Sequence, residues 1–323
     1  MDTAGNAVIA ATTSDPDLPV GAGAFQPVYA DGAFSNVYVA KFTPGGQLSG
    51  ATYLGGSQQD ASSAIALRPN GSVVVSGFTQ SPDFPGRQLV PQAGGSYTTS
   101  IFISLTALNA ASYVATGIAP GEIVSLFGYG IGPATGVIAT GSVLPNDLAD
   151  VQVSFAGLAA PLFYVQSSQI NAQVPWELAG QTSAIMQVSY PGITSTGTPV
   201  AVRPSLPGIF DIVNSDGSVN SPSNPAQPGD FVSVYGTGGG VMSPPGVTGN
   251  LWPLAPLSLL PPPVFATVGA EAADVLYAGS APTLESGLFQ INVRLPADPT
   301  AGTQSLSVTI GGAIGAPAAI SIQ

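Results

Sequence analysis

Residues 120 to 132 read Pro-Gly-Glu-Ile-Val-Ser-Leu-Phe-Gly-Tyr-Gly-Ile-Gly, and residues 228 to 240 read Pro-Gly-Asp-Phe-Val-Ser-Val-Tyr-Gly-Thr-Gly-Gly-Gly, 108 positions later. A second pair follows in the same order: Gln169-Ile170-Asn171-Ala172-Gln173-Val174-Pro175 and Gln290-Ile291-Asn292-Val293-Arg294-Leu295-Pro296, 121 positions apart. Two landmarks that keep their order while the spacing between them grows by 13 residues mark a duplicated unit with insertions between fixed points. Each copy holds about 100 residues, the size of one domain. The duplication sets the expected division of the chain: residues 1–106, then 107–213 and 214–323 as tandem copies.

Short alternating segments such as Val151-Gln152-Val153-Ser154-Phe155 and Ser305-Leu306-Ser307-Val308-Thr309-Ile310 recur through both copies, separated by Gly or Pro. That is a strand-and-turn pattern, and two β-sandwiches are expected from it. The 41 glycines, 31 prolines and 7% charged residues agree with many short strands joined by turns. Val174 to Gly180 is read as one helical turn after Pro175.

Several chemistries are excluded by composition. The 5 basic residues, Lys41, Arg68, Arg87, Arg203 and Arg294, stand against a net charge of −12, which leaves no basic patch for nucleic acid or an anionic membrane surface. The counts of histidine and cysteine are both 0, so disulfides, thiol nucleophiles, histidine triads and the usual zinc sites are absent. The most apolar stretch, Leu254 to Val268, is broken by Pro256, Pro261, Pro262 and Pro263, which argues against a membrane-spanning helix. The chain opens Met-Asp-Thr-Ala-Gly, without a basic and then apolar leader. Either the protein stays in the cytoplasm or this chain is the downstream part of a longer one; with the broken repeat in the first third, the C-terminal part of a longer exported protein is expected.

The first third carries a different repeat. Asp2 to Pro19 matches Arg68 to Pro85 at an offset of 66, and strands are expected at Ser72–Phe78, at Val37–Phe42 and at Ile101–Leu105, with a tight turn at Asn70-Gly71. Thr52-Tyr53-Leu54-Gly55-Gly56-Ser57, Asp60, Val73 to Thr79 and Ser81-Pro82-Asp83-Phe84-Pro85 resemble the bacterial SBBP β-propeller repeats. The first unit lacks the Tyr-Leu-Gly-Gly segment, so fewer than two complete units are present. The resemblance implies a truncated propeller.

A second resemblance covers roughly Asn109 to Gln323. Asn109-Ala110-Ala111-Ser112-Tyr113, Ile118-Ala119-Pro120-Gly121, Gln169 to Trp176, Pro207-Gly208-Ile209-Phe210 and Tyr277 to Pro282 are similar to an uncharacterised C-terminal domain family of Solibacter and other acidobacterial proteins. That family implies tandem Ig-like sandwiches on an exported surface protein, and it supplies no catalytic residues. The fold class expected is all-β: partial propeller-like repeats followed by two Ig-like sandwiches.

Each candidate site also has an ordinary structural role. Gly128 to Gly132 and Gly236 to Gly240 follow strands as a dinucleotide loop would, yet Pro133 and Pro244-Pro245 come next where a helix would have to start, so strand-ending loops are expected. Glu122 and Asp230 hold equivalent places after a Pro-Gly turn and are read as turn residues rather than a glycosidase pair. Asp15, Asp17 and Asp83 lie in Asp-Pro loops, where a Ca²⁺ role is weighed and turn formation favoured. Lys41 lacks the serine of a Ser-x-x-Lys pair because position 38 is Tyr38. Phe127, Tyr235, Phe163, Tyr164, Tyr277 and Phe289 are read as core.

No catalytic, cofactor or metal site is expected, and the expected role is a non-catalytic structural or adhesion module at the cell surface. The alternative is a carbohydrate-binding or hydrolysing module, with Trp176, Glu177 and Trp252 as its saccharide contacts, since an aromatic face beside a carboxylate suits a pyranose. Partners would be an extracellular polysaccharide or protein.

Overall fold

The computed structural model describes residues 1, 5–20, 24–30, 32–67, 73–85, 95–101, 103, 105–128, 131–190, 193–194 and 197–323. Within them the chain is all-β: apart from one 3-10 turn, Trp176–Leu178, every regular element is a strand. That turn is the one expected after Pro175. No described helix is long and apolar enough to cross a membrane. The Asn70-Gly71 turn, Arg68 and Arg87 lie outside the described residues.

The first third forms two three-stranded antiparallel sheets. One consists of β1 (Ala7–Thr13), β2 (Asn36–Phe42) and β3 (Leu48–Leu54), and the other of β4 (Asp60–Leu67), β5 (Val73–Thr79) and β6 (Gly95–Ile101). Val37, Val39 and Leu54 of the first sheet share a core with Val73, Val75 and Tyr97 of the second, so the sheets pack face to face. β6 lies earlier than the Ile101–Leu105 segment expected to be a strand, and only Ile101 belongs to both. Residues 95–101 pair along all of β5 in regular register, and that pairing decides where the strand falls.

The first copy of the duplicated unit contributes β7 (Thr106–Asn109), β8 (Ile123–Phe127), β9 (Val137–Ile138), β10 (Gln152–Phe155), β11 (Leu158–Ala160), β12 (Leu162–Val165), β13 (Gln169–Gln173), β14 (Ser183–Tyr190), β15 (Ile193–Thr194) and β16 (Thr198–Ala201). One sheet runs β7-β8-β13-β12-β9, the other β11-β10-β14-β15, with β16 also on β14. Alternation buries one face of each: Val124 and Leu126 of β8 and Ile170 and Ala172 of β13 meet Val153, Phe155, Ala184, Met186 and Val188 of the opposite sheet. These side chains fill the space between two layers.

The second copy's sheet takes in β17 (Gly208–Val213), which lies before the division expected at 213/214 but pairs with β18, together with β18 (Phe231–Thr237), β19 (Val264–Val268), β20 (Glu271–Ser280), β21 (Leu288–Arg294), β22 (Gly302–Ile310), β23 (Ala313–Ile314) and β24 (Ala318–Ile322). They form one sheet in the order β17-β18-β21-β20-β19-β22-β23, with β24 on β22. Val232, Val234, Ile291 and Val293 from one arm share a core with Ala266, Val268, Leu306 and Val308 from the other, so the sheet curls over on itself. The turning point is β20: Glu271 to Ala273 pair with β19, whereas Asp274 to Ser280 pair with β21. A strand that passes from one layer to the other closes the corner of a packed pair of sheets.

The same order runs through both copies once β20 is matched to β11 plus β12. In the first copy Pro161 stands between these two, and a residue with no N–H breaks the ladder there. Register agrees too: Gln169 pairs with Phe127 as Gln290 pairs with Tyr235, and Asn171 with Ser125 as Asn292 with Ser233. The two repeated motifs are thus neighbours in space, bonded to each other. Ser125 Oγ donates to Asn171 Oδ1 at 3.2 Å and Gln169 Nε2 to the same oxygen at 2.9 Å; Ser233 and Gln290 treat Asn292 Oδ1 alike, at 3.0 and 2.8 Å.

Candidate functional site

The SBBP-like segments converge on Asp60. Its carboxylate is fully buried and accepts hydrogen bonds from Thr79 Oγ1, Ser81 Oγ at 3.0 Å and the Gly56 amide at 2.7 Å. Burial raises its pKa, against the pull of those three donors. Asp83 Oδ1 accepts from the amide and hydroxyl of Ser57, both at 2.9 Å, and these bonds hold its pKa down. Asp15 Oδ1 accepts from the Asp17 amide. These aspartates tie loops together, and no group of three or more possible metal ligands occurs among the described residues.

The glycine-rich segments end strands. Gly238 and Gly240 take positive φ, and their Cα atoms lie against the Leu206 and Pro204 carbonyls, where a side chain has no room. In the first copy Ile131 is buried in the core, while Tyr129 and Gly130 lie outside the described residues. Lys41 sits half-buried in β2.

Glu122 and Asp230 diverge despite their equivalence in sequence. Asp230 is exposed and accepts from Ser215 Oγ at 3.1 Å. Glu122 is completely buried; its two oxygens accept from Asn109 Nδ2 at 2.8 Å and the Ala119 amide at 2.6 Å. No positive charge offsets the desolvation, and its pKa is pushed up to about 8. The cause of the divergence is position. The first Pro-Gly turn is covered by later chain: Asn109 Nδ2 also reaches the carbonyl of Leu206, in the segment leading into β17, at 3.0 Å, and the Ile123 amide donates to Thr237 Oγ1 of the second copy at 2.7 Å.

Trp176 and Trp252 lie in this covered region, 7% and 3% exposed, with ring centroids 6.0 Å apart in an edge contact. The loop between β18 and β19 brings Trp252, Thr248 and Gly249 over the first copy. The Trp176 amide donates to Thr248 Oγ1 at 3.1 Å, Thr248 Oγ1 donates to Glu177 Oε2 at 2.7 Å, and the Gly249 amide donates to Gln173 Oε1 at 2.7 Å. Gln173 Nε2 donates to Ser286 Oγ at 3.0 Å. A pyranose stacks on an open ring face, and neither tryptophan has one. The three residues expected to hold a saccharide instead join the two copies.

Beside this junction lies a cleft of about 720 Å³. Ser125 and Asn171 on the outer face of the first copy form one wall; Phe210, Asp211 and Tyr235 of β17 and β18 form the other. Of the six aromatics read as core, Phe289 is buried, whereas Phe163 and Tyr235 are half-buried and line this cleft. No local pattern of residues marks the cleft, because its walls come from both sheets that meet there.

No family model matches the chain, and no curated protein matches it. Solved structures that resemble it include a surface glycan-binding protein of Prevotella bryantii, at 13% identity and TM-score 0.22, covering 66% of this chain and 40% of that one. A Bacteroides ovatus mixed-linkage glucan surface protein in complex with a heptasaccharide has 11% identity and TM-score 0.29, covering 98% and 63%. Domains 5–6 of the S-layer protein SbsC have 12% identity and TM-score 0.23, covering 68% and 96%. The chain spans 40% and 63% of the two glycan-binding proteins. At such scores these likenesses assign no function to it.

Proposed function

We propose that the chain is a non-catalytic structural or adhesive module of an exported cell-surface protein. In this reading residues 1–106 are propeller-like repeats, and residues 107–213 and 214–323 are two Ig-like sandwiches acting as one stiff spacer, with β17 at the end of the first segment joining the sheet of the second. The observation that carries it is the junction. Gln173 spends both ends of its side-chain amide on the other copy, and Trp176 packs on Trp252. Tandem domains joined only by a linker move independently, whereas a buried, hydrogen-bonded contact holds them at one angle. A stiff body suits a protein that presents a ligand or bears load at a surface.

The first third supports the repeat reading. β1 and β5 carry the matched segments, and each pairs antiparallel along its length with a later strand, β2 and β6. The test is location: antibodies raised against this chain should label intact cells of the producing organism, and mild external protease should remove the label. Labelling only after lysis would overturn the proposal.

A further inference from the structure

The cleft beside the junction owes two of its rings to backbone irregularities. In β12 the ladder passes from Leu162 opposite Ala172 to Tyr164 opposite Asn171, leaving Phe163 unpaired; in β17 it passes from Ile209 opposite Gly236 to Asp211 opposite Tyr235, leaving Phe210 unpaired. Consecutive residues of a regular strand point to opposite faces, yet Phe210 and Asp211 both line the cleft. A bulge re-aims side chains in this way. Tyr113, half-exposed and held at φ +55, and Tyr235 complete a set of four rings.

The polar groups between the rings are not used up. Asn171 Oδ1 takes two donors, and its Nδ2 has no partner among the described residues. The Asp211 and Glu285 carboxylates and the Tyr113 and Tyr235 hydroxyls likewise make no hydrogen bond among the described residues. No lysine or arginine lines the cleft, and the chain carries a net charge of −12, which disfavours a polyanion. What remains is a set of flat apolar faces with an amide donor, two hydroxyls and two carboxylate acceptors, in a space of small-molecule size.

We propose that this cleft binds an uncharged oligosaccharide, whose C–H faces lie on the rings of Phe210, Tyr113 and Tyr235 while its hydroxyls bond to Asn171, Asp211 and Glu285. The site shares no residue with Trp176, Glu177 or Trp252. The test is calorimetric titration of the whole chain with cello-, manno-, xylo- and malto-oligosaccharides, with heparin, choline and a lysine-rich peptide alongside. At least one uncharged oligosaccharide should bind, and Phe210→Ala and Tyr113→Ala should each weaken it about tenfold. Both side chains are partly exposed, so these variants should fold, and Ile314→Ala outside the cleft should bind as the parent does. No binding by any oligosaccharide, binding indifferent to both ring substitutions, or binding of only heparin, choline or the peptide would each overturn the proposal. Any of these failures leaves the spacer reading in place, because that reading rests on the junction.

Discussion

Glu122 sets the clearest residue-scale expectation. Its carboxyl ionises near 4.5 in the unfolded chain and near 8 when buried, so between those values the native state keeps a proton that the unfolded state releases. The sign follows: this group's contribution is fully present below about pH 4.5, falls as pH rises, and is lost above about pH 8. Asp60, also raised, acts in the same direction starting from lower pH. With no histidine or cysteine to titrate, urea denaturation between about pH 5 and 8 should show stability declining by an amount on the order of a few kcal/mol. Glu122→Gln, which cannot ionise, should flatten most of that slope. Gly121 gives a second expectation. A Cβ there would lie 2.2 Å from the Trp176 ring, at φ +76, so Gly121→Ala should lose roughly 2–4 kcal/mol. Gly157 has nearly the same φ, +78, with open space around it, and Gly157→Ala should lose only about 1 kcal/mol in the same measurement.

At the scale of elements, one corner is built in two ways. The first copy breaks its corner strand at Pro161, and the second runs β20 through without interruption. Pro161 is opposite Gln173, whose amide donates to its carbonyl at 2.8 Å, and the equivalent pair in the second copy is Asp274 and Arg294. Asp274→Pro should therefore cost about 1 kcal/mol, one exposed ladder bond. Val293→Pro, in the middle of the sheet, should cost about 3 kcal/mol or more, read from thermal unfolding. The repeated motifs made the paired strands β8, β13, β18 and β21 legible, because glycines and prolines punctuate them and their apolar residues alternate. Bulges leave no such mark. Phe163 looked like core because it falls at a matched place in the two copies among apolar neighbours, and the skipped pairing in β12 leaves it unpaired and half-buried at the cleft. The strand expected at Ile101–Leu105 failed for a related reason: apolar content located an ordered segment, but pairing with β5 fixed its limits.

At the scale of the molecule, duplication explains the parts and the loops of the second copy explain how they meet. The loop between β18 and β19 belongs to the second copy, and it shuts Trp176 of the first away from water. Thr248, which caps that contact, is 72 residues from Trp176 along the chain. No local pattern reports such a contact, so a tryptophan next to a glutamate looked like a sugar platform. The cleft escaped notice for the same reason, since each copy supplies only half of its walls. The central claim is that the two copies form one stiff body. A chain with no cysteine allows a direct test, because two introduced thiols are the only ones to label. Spin labels at Ile138→Cys and Phe265→Cys, both exposed and one in each copy, report the distance between them by pulsed electron resonance. A single narrow distance distribution, broadened when Gln173→Ala and Trp176→Ala are added, is the expected result; a broad distribution in the otherwise unaltered chain would contradict the claim.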